Sequence, residues 1–182
     1  MARTSDGQYR IVGVDPGLNV TGYAVIESSP AGLRFCEAGV VRGGNCGLGP
    51  RLAALYAGLR ELIETYHPRV MALEELYSHY ERPRTAILMG HARGVICLAA
   101  AQADVEIVSY AATQIKRLLT GSGRAPKNQV QRAIQRELGL PAPPEPPDVA
   151  DALAIAICHH YLRTKTEWLQ TAGLSHHLPG KR

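Results

Sequence analysis

The sequence predicts an α/β fold: a mixed β-sheet of about five strands flanked by α-helices. Three strand-like runs follow one another at the start of the chain, and helical and strand periodicities alternate after them. Composition agrees: 182 residues, 46% apolar and 20% charged, with one Phe, one Trp and eight Tyr, suit one core of Leu, Ile, Val and Ala. Whole-chain disorder and repeat architectures are excluded on the same grounds.

Tyr9 to Asp15 is a β-branched run, and Val20 to Glu27 resumes it after the Asp15-Pro16-Gly17 turn signal, so these are two tightly joined strands. Leu33 to Val41 is the third. Gly43 to Pro50 breaks the chain, and Leu52, Leu55, Tyr56, Leu59, Leu62 and Ile63 then mark an amphipathic helix. Val70 to Leu73 is a continuous apolar run, as in a strand buried on both faces, and it ends in Glu74-Glu75. Pro83 suits a helix start, and Thr85 to Ala103 continues as a mostly apolar helix interrupted by His91 and Arg93. Val105 to Ser109 is the fifth strand, and Ala111 to Leu119 and Gln129 to Leu138 are short helices. The Pro-rich stretch from Pro141 to Pro147 is a stiff connection, and Asp148 to Leu162 is the last helix. Residues 1–163 are expected to form one domain, and 164–182 a flexible tail.

Basic residues exceed acidic ones by 20 to 16, a mild bias toward polyanions. Cys36, Cys46, Cys97 and Cys158 form no C-x-x-C pair, so a zinc site is not indicated and reduced thiols are expected. No secretory core or membrane span is apparent, and the expected location is the cytoplasm.

Four acids lie in apolar settings: Asp15 and Glu74 at strand ends, and Asp148 and Asp151 one helical turn apart. An isolated buried carboxylate is disfavoured, whereas carboxylates gathered around Mg²⁺ or Mn²⁺ stay ionised, and oxygen ligands select such hard cations. Each acid taken singly has a plainer explanation: a turn for Asp15, a surface acid for Glu74, and helix-start residues for Asp148 and Asp151. Their combination points to a metal site. The segment from Lys116 to Arg136 contains Lys116, Arg117, Arg124, Lys127, Arg132 and Arg136 and no acid, and its Thr120-Gly121-Ser122-Gly123 turn offers amides and hydroxyls suited to phosphates. Basic charge beside a carboxylate site fits a phosphodiester substrate.

These motifs make the chain similar to a known family. Ile11-Val12-Gly13-Val14-Asp15-Pro16-Gly17 with Thr21-Gly22-Tyr23, Ala72-Leu73-Glu74, Gly90-His91-Ala92-Arg93-Gly94, Gly121-Ser122-Gly123 with Lys127 and Gln129-Val130, and Asp148-Val149-Ala150-Asp151-Ala152-Leu153-Ala154 occur in order. Over approximately Ile11 to Tyr161 the sequence resembles the RuvC family of bacterial Holliday-junction resolvases, metal-dependent nucleases of ribonuclease-H-like fold. The resemblance implies metal-binding, catalytic acids at Asp15, Glu74, Asp148 and Asp151, with Glu75 outside the motif position. Some members carry histidine where Asp148 stands, so this chain is expected to have a four-carboxylate site. DNA-contacting lysines are implied at Lys116 and Lys127 and a junction-facing aromatic at Tyr77, while Arg124 and Arg132 join the DNA surface through their basic segment. Arg124-Ala125-Pro126 before Lys127 and the Pro-rich run before Asp148 depart from the family pattern.

The implied chemistry is in-line attack of water on a phosphodiester, assisted by two divalent ions roughly 3.5 to 4 Å apart. The implied substrate is a four-way DNA junction, nicked in pairs by a homodimer during recombination and repair, with the RuvA–RuvB branch-migration complex as partner. A twofold junction calls for two equivalent cuts, which a C₂ dimer provides. Gly90 and Gly94, four apart on one helix, would permit close helix approach. Alternatives are a ribonuclease-H-like nuclease acting on RNA or an RNA–DNA hybrid, an ATP-binding protein using the Asp15-Pro16-Gly17 turn, and a catalytically silent junction-binding module. The chain is short for the second, and retention of all four acids opposes the third.

Overall fold

In a computed structural model, which describes residues 7–76 and 83–171, the chain forms a five-stranded sheet of order β3-β2-β1-β4-β5. The elements are β1 (Tyr9–Asp15), β2 (Val20–Ser29), β3 (Gly32–Arg42), α1 (Leu48–Tyr66), β4 (Val70–Glu74), α2 (Pro83–Ala101), β5 (Glu106–Tyr110), α3 (Ala112–Thr120), α4 (Lys127–Glu137) and α5 (Pro147–Thr171). β1, β2 and β3 pair antiparallel, whereas β4 runs parallel to both β1 and β5. The expected mixed sheet and its element order are therefore present.

Side chains alternate across the central strands, and both faces are buried. Val12, Val14, Met71 and Leu73 pack with Leu55, Leu59 and Ile96 of α1 and α2. Ile11, Val70 and Ala72 pack instead with α5, and with Ile115, Val130 and Ile134 of α3 and α4. The uninterrupted apolar runs of β1 and β4 follow from this burial. By the same period of two, Asp15 belongs to the α5 face with Ile11 and Gly13, and Glu74 belongs to it with Val70 and Ala72. The parallel register sets Ile11 opposite Val70 and Val14 opposite Leu73, so the two acids leave adjacent strands at the same end.

Two glycines let α5 approach the sheet at backbone distance. A Cβ built on Gly13 would lie 2.1 Å from the Ala152 carbonyl oxygen and 2.8 Å from the Ala156 nitrogen. One on Gly22 would lie 2.1 Å from the Asp148 carbonyl oxygen. Gly22 is also the ladder partner of Asp15. Apart from Asp151, the helix segment from Val149 to Cys158 is buried around its circumference because α3 and α4 cover the side turned away from the sheet. Thr21 closes the β1–β2 connection: its buried hydroxyl donates to the Gly17 carbonyl at 2.5 Å and accepts from the Gly17 amide at 3.3 Å.

The helix α5 passes the position where the apolar pattern ends. Beyond Leu162, the Thr164 and Thr166 hydroxyls donate to the His160 and Leu162 carbonyls, each at 2.9 Å, and Arg163 pairs with Glu106 at 3.6 Å. Residues 164–171, expected as the start of a tail, are helical although they carry no hydrophobic periodicity. Asp148 lies inside the first turn of this helix, one residue after Pro147, rather than at its cap.

Replacing Gly22 with Ala is expected to lower stability by about 1 to 3 kcal/mol, since backbone atoms must move. Hydrogen exchange should accelerate in the first turns of α5. Gly49→Ala, where a Cβ meets nothing within 4 Å, is the control. Unchanged exchange in α5 would show that its seat on the sheet does not depend on Gly22.

Candidate active site

Asp15, Glu74 and Asp151 line one cleft of about 220 Å³ together with Lys116 and Lys127. Its apolar wall is Ala112 and Ile115 of α3, Val130 of α4 and Ala154 of α5. Each charged group arrives from a different element. The two strand ends deliver Asp15 and Glu74, the start of α5, one turn after Asp148, delivers Asp151, α3 delivers Lys116, and Lys127 is the first residue of α4. Residues far apart in the chain meet because the helix layer of α3, α4 and α5 covers the same sheet face from which both strand acids project.

The ammonium of Lys127 donates to Asp151 Oδ2 at 3.2 Å. Asp151's charge, and then that hydrogen bond, hold Lys127 above its ordinary value. Asp15 is pushed up to about 7, chiefly by burial and then by the charges of Asp151, Glu74 and Asp148, with Lys127 opposing. Glu74 is also raised, by burial first and the Asp151 charge second, against Lys116 and Lys127. Asp148 lies outside the cleft lining, although its charge reaches both Asp15 and Lys127. Carboxylates that repel one another in a half-buried cleft are short of positive charge.

The donor set suits a hard divalent cation, because among the described residues the cleft lining presents carboxylate oxygens and neither His nor Cys. Among the described residues, no three His, Cys, Asp or Glu side chains already converge at metal-holding geometry. Asp151 is engaged by Lys127 instead, an organic cation standing where the acids lack charge.

Arg124 and Arg132 are exposed and stand outside the cleft, on the turn before α4 and on α4 itself. The turn from Thr120 to Gly123 is more self-contained than its composition suggests. The Thr120 hydroxyl donates to the Lys116 carbonyl at 2.8 Å and accepts from the Ser122 amide at 3.3 Å. Ser122 Oγ accepts from the Arg124 amide at 3.3 Å, and Gly121 takes the left-handed cap with φ 80°. Both hydroxyls are thus used in shaping the turn. Tyr77 lies outside the described residues. His91 is exposed and its ring Nδ1 is 2.7 Å from the Ile87 carbonyl oxygen, a local helix contact.

One residue near the acids lies in the Gly90–Gly94 motif but is given no role by the sequence. Arg93 of α2 donates to the Glu74 main-chain carbonyl and to Ser109 Oγ, each at 2.7 Å. Its signal in the sequence is a cation inside an otherwise apolar helix, which needs a partner when half-buried.

Stability should depend on pH through Asp15. Folded Asp15 keeps a proton that the unfolded chain releases near pH 4, so in chelator the protein loses stability as pH rises from about 4 to about 7. Asp15→Asn should therefore stabilise the protein at pH 8 by about 1 to 3 kcal/mol more than at pH 5, at about 1.4 kcal/mol per pKa unit. Thermal melts of both proteins at the two pH values check this. An equal effect at both would remove Asp15 as the titrating group.

Comparison with known proteins was consistent over nearly the whole described chain. Residues 11–159 match the family model described as crossover junction endodeoxyribonuclease RuvC. A crossover junction endodeoxyribonuclease RuvC of Rhodopirellula baltica is 56% identical over 153 residues, 84% of this chain and 86% of that protein. The protein of the same description from Moorella thermoacetica is 46% identical, covering 82% and 89%. The solved structure of Thermus thermophilus RuvC in complex with Holliday junction substrate superposes with a TM-score of 0.80 at 30% identity, over 87% of this chain and 97% of that one. At 12% identity, the yeast mitochondrial resolvase Ydc2 shares the fold with a TM-score of 0.65. The matched segment contains all four acids and both cleft lysines, and the chain therefore belongs to the RuvC family of crossover junction endodeoxyribonucleases.

Proposed function

We propose that this protein is a crossover junction endodeoxyribonuclease, which resolves four-way DNA junctions by metal-dependent hydrolysis of phosphodiesters in recombination and repair. The observation that carries the site assignment is the convergence of Asp15, Glu74 and Asp151 with Lys116 and Lys127 in one cleft. Asp15, Glu74, Asp151 and Asp148 would hold the metal, Mg²⁺ or Mn²⁺, as two ions. When bound, such ions activate the attacking water and stabilise the leaving oxygen by Lewis acidity.

The chain's own groups do the rest. Four carboxylates supply the negative charge that retains the cations against a polyanionic substrate. Lys127, tied to Asp151, and the half-buried Lys116 both line the cleft and would meet a scissile phosphate there. Arg124 and Arg132, exposed beside the cleft, extend the cationic surface along a DNA arm, and Tyr77 would stack on a base near the junction centre. In the reaction the water oxygen bonds to phosphorus, the bond to the 3′ oxygen breaks, and the proton ends on the 3′ hydroxyl. Among the described residues neither serine nor cysteine lines the cleft, in keeping with direct attack by water.

The protein would act as a homodimer. The outer side of α2 exposes Ile87 (60%), Leu88 (40%) and Leu98 (51%), and a Cβ added at Gly90 or Gly94 would meet nothing within 4 Å. An apolar stripe with two glycines suits a close twofold helix contact, which would place two sites for paired cuts. The RuvA–RuvB complex is the expected partner. Among the described residues no helix is long and apolar enough to cross a membrane, which accords with a cytoplasmic nuclease.

Labelled four-way junction, duplex DNA and RNA–DNA hybrid, offered in parallel with Mg²⁺ or Mn²⁺, should show paired symmetric nicks in the junction alone. Asp15→Asn, Glu74→Gln, Asp148→Asn and Asp151→Asn should each reduce cutting by at least ~100-fold with junction binding retained. Glu75→Gln should cut normally. Preferential cutting of the hybrid would favour a ribonuclease instead, and any one of the four amides cutting at the normal rate would remove that acid from the site.

Binding should also report the cationic surface. Lys116→Ala, Arg124→Ala and Arg132→Ala each remove one cation from a DNA phosphate, and each should flatten the slope of log affinity against log salt by about 0.9. Unchanged slopes in all three would leave the basic segment as solvated surface.

A further inference from the structure

The peptide unit that joins Glu74 to Glu75 is held at both of its polar atoms. Arg93 Nη1 donates to its carbonyl oxygen at 2.7 Å, and its N–H, that of Glu75, donates to the Tyr110 carbonyl at 2.9 Å. The second arm of the same guanidinium, Nη2, reaches Ser109 Oγ at 2.7 Å. Ser109 is the ladder partner of Leu73, and Tyr110 that of Glu74. All three anchors therefore lie where β4 and β5 end and Glu74 leaves the sheet. Fixing this peptide plane fixes the ψ angle of Glu74, and with it the direction in which its side chain departs toward the cleft.

We propose that Arg93 is a positioning residue for the hydrolytic reaction, clamping the Glu74–Glu75 peptide so that the Glu74 carboxyl meets Asp15 and Asp151 at a set angle. The inference rests on the reading of Glu74 as a metal ligand. Arg93 acts through the main chain: it bonds the Glu74 carbonyl and not its carboxyl. The carboxyl itself faces the cleft charges, among them Asp151, Lys116 and Lys127. A planar fork with several N–H groups can bridge acceptors on two strands from one position, which a lysine ammonium on a flexible stem does less well. The placement also accounts for a cation on α2, where every residue from Ile87 to Ala101 other than His91 and Arg93 is apolar or glycine.

The test uses the full-length protein and four readouts: Mn²⁺ binding by calorimetry without DNA, junction affinity in Ca²⁺, single-turnover cutting of prebound junction, and melting temperature. Arg93→Met should weaken Mn²⁺ binding and slow single-turnover cutting by roughly 10- to 100-fold each, with junction affinity within about twofold. Arg93→Lys should recover part of both, and Ser109→Ala should fall between the wild type and Arg93→Met. Adding Ser109→Ala to Arg93→Met should slow cutting no further, as expected for partners in one contact. Arg60→Met, which removes only the exposed pair with Glu64 on α1, should change neither binding nor cutting. A merely structural Arg93 would lower the melting temperature and leave Mn²⁺ affinity and single-turnover rate unchanged in the folded variants, and that result overturns the proposal. Glu74→Gln is run beside them. If it binds Mn²⁺ and cuts normally, the four-acid site fails and the Arg93 proposal falls with it; if Glu74→Gln is impaired but Arg93→Met and Arg93→Lys are not, only the clamp is rejected.

Discussion

The architecture of the cleft depends on the contact of α5 with β1 and β2 at backbone distance. Gly13 faces the Ala152 carbonyl and Gly22 the Asp148 carbonyl so closely that neither site has room for a Cβ. A side chain at either would lift the helix, and Asp148 and Asp151 near its start would move away from the strand acids. Gly22 has a double role, since it also pairs with Asp15 across the β ladder. One missing side chain thus makes a strand carboxylate and a helix carboxylate near neighbours. The alanines of α5 serve the same end by keeping its sheet side thin.

Bringing these acids together is unfavourable for the folded protein by itself. Burial and three neighbouring negative charges raise Asp15, and Glu74 is raised for similar reasons. Lys127 and Lys116 offset part of this repulsion, and Lys127 does so from the first position of α4. A site retained at the expense of stability is the usual mark of chemistry rather than packing. In the proposed function the same lysines would meet an entering phosphate, so the group that screens the acids would also suit the substrate.

The helix α2 serves both of its sides. Inward, Ala92, Ile96 and Ala99 fill the core against α1, and Arg93 reaches past them to the ends of β4 and β5. Outward, Ile87 and Leu98 flank Gly90 and Gly94 on a surface suited to a second subunit. Core, candidate site and proposed pairing surface thereby share one rigid element.

Most of the element order was legible in the sequence because both kinds of periodicity are strong. Buried parallel strands read as unbroken apolar runs, and α1 as a stripe at steps of three and four. The acids were legible for the same reason, since Asp15 and Glu74 terminate apolar strands and Asp148 and Asp151 open an apolar helix. What carried no local signal depended on long-range contact. Past Leu162 the helix α5 continues to Thr171 without a hydrophobic pattern, and its long-range contact there is the pair of Arg163 with Glu106. The hydroxyls of the Thr120–Gly123 turn read as open to a ligand, but folding spends them on the turn itself. The sequence by itself determined which residues bear charge and which strands and helices carry them. Only the tertiary structure decided that Asp151 faces Lys127, that Asp148 stands outside the cleft lining and that Arg93 holds the Glu74 peptide, because each depends on how closely helices from distant parts of the chain seat on the sheet.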